Sequence, residues 1–367
     1  MTIVKDLKVT KVVRVNALRP DMKVIDEVAN VLRSGGLCAF PTETVYGLGA
    51  DGYNNEAVMR IFKVKGRPPD NPLIMHVSSK EMFDELVVDV PEIAYRLIDF
   101  AWPGPLTLVL KKSAKVPKEV TAGLPTVAVR CPGHPVALSL INALGRPIAA
   151  PSANLSGRPS PTNASHVIED LMGLVDVVVD GGETFFGVES TIIDVTSDPP
   201  VLLRPGPISV EDLVRVLGKE IKIPSFARGL SEAEVSLSPG TRYRHYSPNT
   251  PLLLVELDDY SDLKALTTTV LNHANRLTSK GLRVAIIASS ETAEYYRVRG
   301  YDVLVLGSRS NVFEVAHNLF DVLRLCDSLK ADIAIAEGFD EVGLGLAIMN
   351  RLRKAAKYRV LVTPPKQ

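Results

Sequence analysis

The sequence predicts an α/β protein built from two domains that are joined by a long connector. Apolar strand segments alternate with helical patterns along most of the chain. A proline-containing stretch with little periodicity interrupts this alternation at 224–250. The 367 residues also exceed the roughly 100–200 residues of an average domain. Two domains of mixed α/β character are therefore expected.

In the first part of the chain, the apolar positions predict a mixture of helices and strands. Ile25, Val28 and Leu32 recur at helical spacing over 22–34, and two glycines at 35–36 end that helix. The apolar runs at 37–40 and 73–77 indicate buried strands. Further strands are predicted at 12–16, 106–110, 126–130, 147–150, 175–180, 190–195 and 201–204, and helices at 55–63, 91–101, 134–144, 164–172 and 209–217.

After the connector, the strand segments become continuously apolar. They lie at 251–257, 283–289, 302–307, 331–338 and 358–362, and helical segments near 260–279, 291–298, 311–329 and 345–356 separate them. Such alternation predicts a doubly wound parallel sheet. A GLG triplet at 343–345 precedes the last helix, but a full GxGxxG after an early strand is missing, so a dinucleotide site is only weakly indicated.

Composition narrows the function classes. Lys+Arg and Asp+Glu both total 42, and the resulting net charge of zero favours a small-molecule site over a dedicated nucleic-acid binder. Cys38, Cys131 and Cys326 are an odd number and far apart, which argues against a disulfide framework or a zinc ribbon. No apolar run is long enough to span a membrane, and the amino terminus lacks a signal-peptide core. We therefore expect a cytoplasmic protein without membrane association.

Two early segments have a composition that suits ligand binding. PTETVYGLGADG (41–52) offers small polar side chains and backbone amides to a compact zwitterionic ligand, although a glycine-rich connection would have the same composition. Lys63, Lys65 and Arg67 lie within five residues and precede several prolines. Prolines stiffen a loop, and held cations suit a polyphosphate. A solvated charge cluster is the alternative, and no Walker motif is present.

Three later segments are also candidates. APSANLSGRPSPT (150–162) follows a strand and could form an anion-binding nest, or could be an ordinary turn. FGVESTIIDV (186–195) and LLRPGP (202–207) place Glu189, Ser190, Thr191 and Arg204 at strand ends. SPGTRYRHYSP (238–248) interleaves cations with aromatic rings, which could stack on adenine and neutralise phosphates. A basic linker without contacts, or an RNA-contacting strip, would have the same pattern.

Together these segments resemble the YrdC-like family, and within it the two-domain threonylcarbamoyl-AMP synthases. Lys65-Gly66-Arg67 is similar to the family's KxR motif, and Ser152-Ala153-Asn154 is similar to its SxN motif. The connector resembles the family's linker, but it carries Thr241 in place of a larger apolar residue, and Arg242 and Arg244 in place of lysines. The resemblance covers essentially the whole chain.

The resemblance implies a fold and a domain plan. A YrdC-like catalytic domain with a twisted mixed sheet and a cleft is expected at 12–208. A helix and a linker that closes over the site as a lid follow at 209–250, and a smaller Rossmann-like doubly wound domain follows at 251–367. We expect the second domain to anchor the linker, so that Arg244–Tyr246 can close over bound nucleotide.

The resemblance also implies a reaction. L-threonine, bicarbonate and ATP would be joined into L-threonylcarbamoyl-adenylate with release of pyrophosphate, as in a nucleotidyltransferase. Mg2+ would enter with the triphosphate rather than through protein ligands. A separate tRNA threonylcarbamoyl transferase complex would use the product to modify adenosine beside the anticodon. Direct contact with RNA is left open.

The residues of such a site follow from the same resemblance. Threonine would be held by Thr44, His76, Arg130, Ala150 (through its backbone) and Ser190. ATP would be held by Arg67, Asn71, Thr126, Ser152, Asn154, Ser160, Arg204, His245 and Tyr246. Lys65 and Arg67 are the candidate catalytic residues, acting through charge and positioning. His76 is expected to position the ligand rather than to transfer protons.

Two other functions stay open at this point. One is a double-stranded RNA or tRNA-binding module that uses Lys63, Lys65, Arg67 and the cations of the linker on phosphates, against which the zero net charge argues. The other is carbamoyl transfer of the hydrogenase-maturation type. Proteins of that type carry CxxC zinc-finger pairs and an acylphosphatase-like region, and this sequence contains neither.

Overall fold

The computed structural model describes residues 9–234, 236, 238 and 246–362. These residues divide into two compact units. The first unit comprises the described residues of 9–156, 160–224 and 233–238, and the second comprises 157–159, 225–232 and 246–362. Among the described residues, no helix is both long enough and apolar enough to cross a lipid bilayer.

The first unit alternates strands and helices throughout its length. In chain order its elements are β1 (Lys11–Arg14), α1 (Met22–Arg33), β2 (Cys38–Phe40), β3 (Gly47–Asp51), α2 (Asn55–Lys65), β4 (Ile74–His76), α3 (Lys80–Leu86), α4 (Glu92–Ala101), β5 (Leu106–Lys111), α5 (Lys118–Thr121), β6 (Thr126–Arg130), α6 (Pro135–Leu144), β7 (Ile148–Ala150), α7 (Ala164–Leu171), β8 (Val177–Asp180), β9 (Thr191–Asp194), β10 (Val201–Arg204) and α8 (Val210–Leu217).

The strands of the first unit form one mixed sheet. Within the described residues its order is β1-β8-β2-β3-β7-β4-β6-β5-β9-β10. β4 and β6 are parallel, as are β5 and β9, whereas β3 and β7 are antiparallel. The amphipathic helices α1 and α6 bury Ile25, Leu32 and Leu140 against Phe40 and Ile148 of the sheet. The predicted mixed α/β class is confirmed.

The strand β3 was not predicted, because the glycines of the PTETVYGLGADG segment indicated a loop. The structure explains why a strand can form there. A Cβ atom at Gly49 would lie 2.7 Å from both the Phe40 ring and the Ile148 side chain, so only glycine lets β3 approach them. The helices α3 and α5 were also missed, since their 7 and 4 residues are too few to show helical periodicity.

The second unit begins with α9 and continues as a regular βα series. Its elements are α9 (Ser225–Arg228), β11 (Leu252–Glu256), α10 (Leu263–Thr278), β12 (Val284–Ser289), α11 (Ala293–Arg297), β13 (Asp302–Gly307), α12 (Val312–Cys326), a 3₁₀ turn (Asp327–Leu329), β14 (Ile333–Glu337), α13 (Gly345–Ala355) and β15 (Val360–Val362).

The strands of the second unit are all parallel among the described residues, in the order β13-β12-β14-β11-β15. Both faces of β12 are buried, since Ile286 and Ile287 are each fully inaccessible. Helices α10 and α11 pack against the face that carries Ile286. The predicted doubly wound parallel sheet is confirmed.

The glycine before α13 has a structural explanation. A Cβ atom at Gly345 would lie 1.9 Å from the carbonyl oxygen of Asp340, so the backbone there must carry a glycine. The GLG triplet therefore permits a close turn of the backbone, and this explains its last glycine without a dinucleotide ligand.

The end of the connector is bound within the second unit. Ser247 donates its backbone N–H to the carbonyl of Gly157 at 2.9 Å. The N–H groups of Asn249 and Thr250 donate to the carboxylate of Asp327 at 3.1 and 2.9 Å. These bonds hold residues 247–250, the end of the connector, within the second unit. Arg242–His245 lie outside the described residues, so the lid stays a prediction.

Candidate functional site

The first unit brings two residues that were predicted to bind the substrate L-threonine together at the ends of neighbouring strands. His76 ends β4 and Arg130 ends β6, and the two residues are partners in the parallel register. Both are buried, with 4% and 3% of their surface accessible. Thr126 begins β6 and therefore lies about 13 Å from Arg130 along the strand, at about 3.3 Å per residue. The ATP candidate Thr126 and the threonine candidate Arg130 thus lie at opposite ends of β6.

The guanidinium of Arg130 is fixed from three sides. Its Nε donates to the carbonyl of Gly104 at 3.2 Å, and its Nη1 donates to Oγ1 of Thr44 at 3.0 Å. Its Nη2 lies 2.6 Å from Oε1 of Glu43. Thr44 is itself held by a hydroxyl contact with Thr42 at 2.9 Å. A buried cation and hydroxyl thus form a rigid polar surface that suits a small carboxylate.

His76 is a neutral polar group at neutral pH. Burial, reinforced by the charge of Arg130, lowers the pKa of His76 to about 3. Its ring meets Phe40 edge-on at 6.3 Å, and its Nδ1 has no hydrogen-bond partner among the described residues. A neutral imidazole with a buried nitrogen that lacks a partner can orient a ligand but carries no positive charge at this pH. The fifth threonine candidate, Ala150, ends β7 and pairs with Ile74 of β4.

Ser190, which was predicted to bind threonine, contacts Arg204, which was predicted to bind ATP. Its Oγ lies 2.8 Å from Oγ1 of Thr107 and accepts from Nη2 of Arg204 at 3.1 Å. The Nε of Arg204 also donates to the carbonyl of Ser190 at 3.0 Å. Arg204 is therefore held directly against the start of β9, and both side chains are buried.

The candidate catalytic cations are tied to backbone carbonyls. Lys65 is the last residue of α2, not a loop residue, because Gly66 ends the helix in the left-handed conformation. Its buried ammonium donates to the carbonyls of Ser152 and Asn154. Arg67 donates through Nη2 to the carbonyls of Asn71 and Pro72, both at 3.0 Å. Lys65 therefore fixes the SxN segment, and Arg67 fixes the proline-rich turn.

The remaining ATP candidates of the first unit lie in these same loops. Ser160 donates to Oε1 of Glu189 at 2.5 Å, which links the serine-rich segment to the residue before Ser190. Asn71 is fully buried, and its Oδ1 accepts from Ser236 at 3.0 Å. Its Nδ2 has no hydrogen-bond partner among the described residues. A buried amide with unpaired donors is typical of a site for a polar ligand.

Of the two predicted linker residues, Tyr246 is among the described residues and His245 is not. Tyr246 is described, and its ring packs within the second unit at 5.2 Å from the Phe320 ring, with the guanidinium of Arg351 5.7 Å above it. It has a positive φ of 64°, which is uncommon for a residue other than glycine. His245 lies outside the described residues. Their contact with nucleotide stays a prediction.

Three polar residues of the site were missed from the sequence, and a fourth, Glu189, was singled out there without a ligand to bind. The three are Glu43, Thr107 and Ser236, and all four hydrogen-bond or ion-pair with a predicted residue. Glu43 and Glu189 each precede a predicted residue in an unusual motif, and this adjacency was an available signal. Thr107 and Ser236 gave none, because only the folded chain brings them to Ser190 and Asn71.

The family comparisons agree with this architecture. A family model described as "Telomere recombination", covering Sua5, YciO and YrdC proteins, matches residues 30–206. A model described as "Threonylcarbamoyl-AMP synthase, C-terminal domain" matches residues 208–357. The two matches define a two-domain member of this group.

Relatives similar over most of the chain make the assignment specific. A threonylcarbamoyl-AMP synthase of Pyrococcus abyssi is 48% identical over 336 residues, covering 91% of this chain and 94% of the relative. One of Bacillus subtilis is 46% identical over 340 residues, covering 92% and 94%. The crystal structure of P. abyssi Sua5 complexed with L-threonine matches with a TM-score of 0.87 and 46% identity, covering 97% of this chain and all of that chain.

The chain therefore belongs to the threonylcarbamoyl-AMP synthase family. Its relatives are enzymes of the nucleotidyltransferase type. The family and the enzyme class indicated by the KGR and SAN motifs are confirmed.

Proposed function

We propose that the protein forms L-threonylcarbamoyl-adenylate and pyrophosphate from L-threonine, bicarbonate and ATP. One observation carries the proposal. Ser190, a candidate for threonine, accepts a 3.1 Å hydrogen bond from Arg204, a candidate for ATP. The reaction joins a threonine derivative to the α-phosphate of ATP, so it requires two subsites in direct contact. Membership of the synthase family supports the same reaction.

The chemistry requires positioning and charge stabilisation. The threonine amine takes up CO2 derived from bicarbonate and becomes a carbamate, whose carboxylate attacks the α-phosphate and displaces pyrophosphate. The pentavalent phosphorus gathers negative charge, and Arg204 and Arg67 supply positive charge that is already held in place. Direct in-line transfer, without a covalent intermediate on the protein, is the proposed course.

The threonine subsite is proposed at Arg130, Thr44 and His76. Arg130 offers N–H groups to the amino-acid carboxylate, and the neutral imidazole of His76 orients the substrate. Ser190 is proposed to read the substrate hydroxyl. A subsite built around a hydroxyl rejects analogues that lack it, because buried polar groups would then stay unpaired.

Magnesium is proposed to arrive with the triphosphate. Among the described residues, no group of three or more His, Cys, Asp or Glu side chains could hold a metal ion. Mg2+ commonly binds through substrate phosphates with few protein carboxylates.

The partners follow from the proposed product. A tRNA threonylcarbamoyl transferase complex would consume the adenylate, and the cytoplasm is the proposed compartment. An RNA-binding function that uses Lys65 and Arg67 on phosphates finds no support in their placement. Both side chains are buried and bonded to backbone carbonyls. Direct contact with tRNA through other residues stays a prediction.

The proposal is tested by pyrophosphate release from ATP with and without threonine and bicarbonate. We expect release to need both. Release that continues unchanged when threonine is omitted would contradict the proposed function.

Two variants test the arrangement of the subsites. Arg67→Ala should abolish ATP use by removing a held cation. The hydroxyl of Ser190 both contacts Arg204 and is proposed to bind the hydroxyl of threonine. Ser190→Ala removes it, so the KM values for both ATP and threonine should rise. A Ser190→Ala enzyme with an unchanged KM for threonine would show that this part of the pocket is wrongly assigned.

A further inference from the structure

A buried carboxylate beside Arg130 has no assigned role in the reaction. Glu43 has only 8% of its surface accessible, and its Oε1 lies 2.6 Å from Nη2 of Arg130. Despite this short ion-pair distance, neither oxygen of Glu43 forms a well-directed hydrogen bond with the described residues, and neither does Nη2 of Arg130. Buried charged atoms normally pair fully, so this pair has hydrogen-bonding capacity left for a ligand.

The backbone holds this carboxylate in place. The carbonyl of Glu43 accepts from the N–H of Phe186 at 2.8 Å, and the hydroxyl of Thr42 accepts from the N–H groups of Thr44 and Val45. Across from it, a Cβ atom at Gly133 would lie 3.6 Å from the carboxyl carbon of Glu43. The loop therefore presents Glu43 and Thr44 together to the same guanidinium.

The charges around Glu43 limit what can bind there. Burial lowers the pKa of His134 and raises the pKa of Cys131 to about 11, so both neighbours are neutral at neutral pH. Arg130 is then the cation that faces Glu43. A ligand carboxylate that bound Arg130 would bring a second negative charge to Glu43, which is unfavourable in a buried site. A ligand that carries its own positive charge next to its carboxylate removes this conflict.

We propose that Glu43 binds the α-ammonium group of L-threonine while Arg130 binds its carboxylate. The inference rests on the proposed function, since it names a further binding residue of the same threonine subsite. The ion pair of Glu43 and Arg130 is then a complement to a zwitterion, and each charge of the protein meets the opposite charge of the substrate.

The arrangement explains two properties of the subsite. It selects α-amino acids over hydroxy acids and simple carboxylates, because only an ammonium group satisfies Glu43. It also remains useful after the amine has become a carbamate, since the nitrogen keeps one N–H that can donate to the carboxylate of Glu43.

The test combines a protein change with ligand changes. Dissociation constants are measured by calorimetry, or by ligand-observed NMR for weak ligands, for wild type and Glu43→Gln. The ligands are L-threonine, (R)-3-hydroxybutyrate, which lacks the amine, and L-threoninol, which lacks the carboxylate. We expect Glu43→Gln to weaken threonine and threoninol by roughly tenfold or more and to leave 3-hydroxybutyrate unchanged or tighter.

The other outcomes are equally informative. Equal weakening of all three ligands would show that Glu43 only supports the fold of the pocket, and an effect on the carboxylate ligands alone would show that it acts through Arg130. Either result, or no change at all, overturns the proposal. Glu183→Gln, which removes a negative charge from an exposed position before Phe186, is the matched control and should leave all three affinities unchanged. If wild type itself binds no threonine, the proposed function fails as well.

Discussion

His76 should make the stability of the first unit fall as the pH is lowered. Its pKa is lowered from an ordinary value of 6.5 to about 3, so the folded chain keeps the imidazole neutral while the unfolded chain protonates it. The unfolded state therefore binds more protons between these two values, and stability is lost as the pH falls through this window. Above pH 6.5 the full contribution is present.

The magnitude follows from the same two pKa values. Each pH unit within the window lowers the unfolding free energy by about 1.36 kcal/mol. Protonation of His76 in the unfolded state therefore lowers the unfolding free energy by about 2 kcal/mol at pH 5 relative to pH 7.5. His76→Gln removes this titration. The difference in unfolding free energy between wild type and His76→Gln should therefore change by about 2 kcal/mol between the two pH values. His134 titrates in the same direction in both proteins and cancels in the difference.

The assay uses an intrinsic probe of the first unit. Trp102 is the only tryptophan in the sequence and lies in this unit, where its Nε1 donates to the carbonyl of Leu106 at 2.7 Å. Urea unfolding followed by its fluorescence reports the stability of this unit at each pH. Parallel curves for the two proteins would refute the reasoning. An NMR titration of His76 that gave an ordinary pKa in the folded state would refute it independently.

Two further predictions concern the loops of the site. Lys65→Met leaves the carbonyls of Ser152 and Asn154 without their ammonium donor. It should therefore destabilise the first unit by about 1–3 kcal/mol and raise the KM for ATP. Lys63→Met, at an exposed position on the same helix, is the control and should do neither. Ser236→Ala removes the hydroxyl that donates to the ATP candidate Asn71, so it should weaken ATP binding by about 1 kcal/mol, measured by calorimetry. An unchanged affinity would show that Ser236 does not support the ATP subsite.

The sequence predicted most of the elements because their signals are local. The helix α1 shows its buried face directly in the spacing of Ile25, Val28 and Leu32, and Asp21 caps its first turn. The strands of the second unit are continuous apolar runs, as strands buried on both faces must be. β3 was missed because Gly49 is required by the close approach of Phe40 and Ile148 in the folded sheet, and this packing leaves no local signal in the sequence.

The candidate site shows the same division. Motif strings identified Lys65, Arg67 and Ser152, but their sequence could not indicate that the ammonium of Lys65 is bonded to the carbonyl of Ser152. A side chain's partner depends on which strands become neighbours, and this is settled by long-range packing rather than by local pattern.

The sequence by itself determined the family, the alternation of elements and the residue types that a zwitterion and a triphosphate would need. Only the tertiary structure decided that Glu43 faces Arg130 and that Arg204 contacts Ser190. The physical reason is sheet register. Parallel pairing of β4 with β6 brings His76 beside Arg130, and antiparallel pairing of β9 with β10 brings Arg204 to the start of β9. The charges and hydrogen bonds of these residues become specific only in their buried surroundings, where water no longer competes.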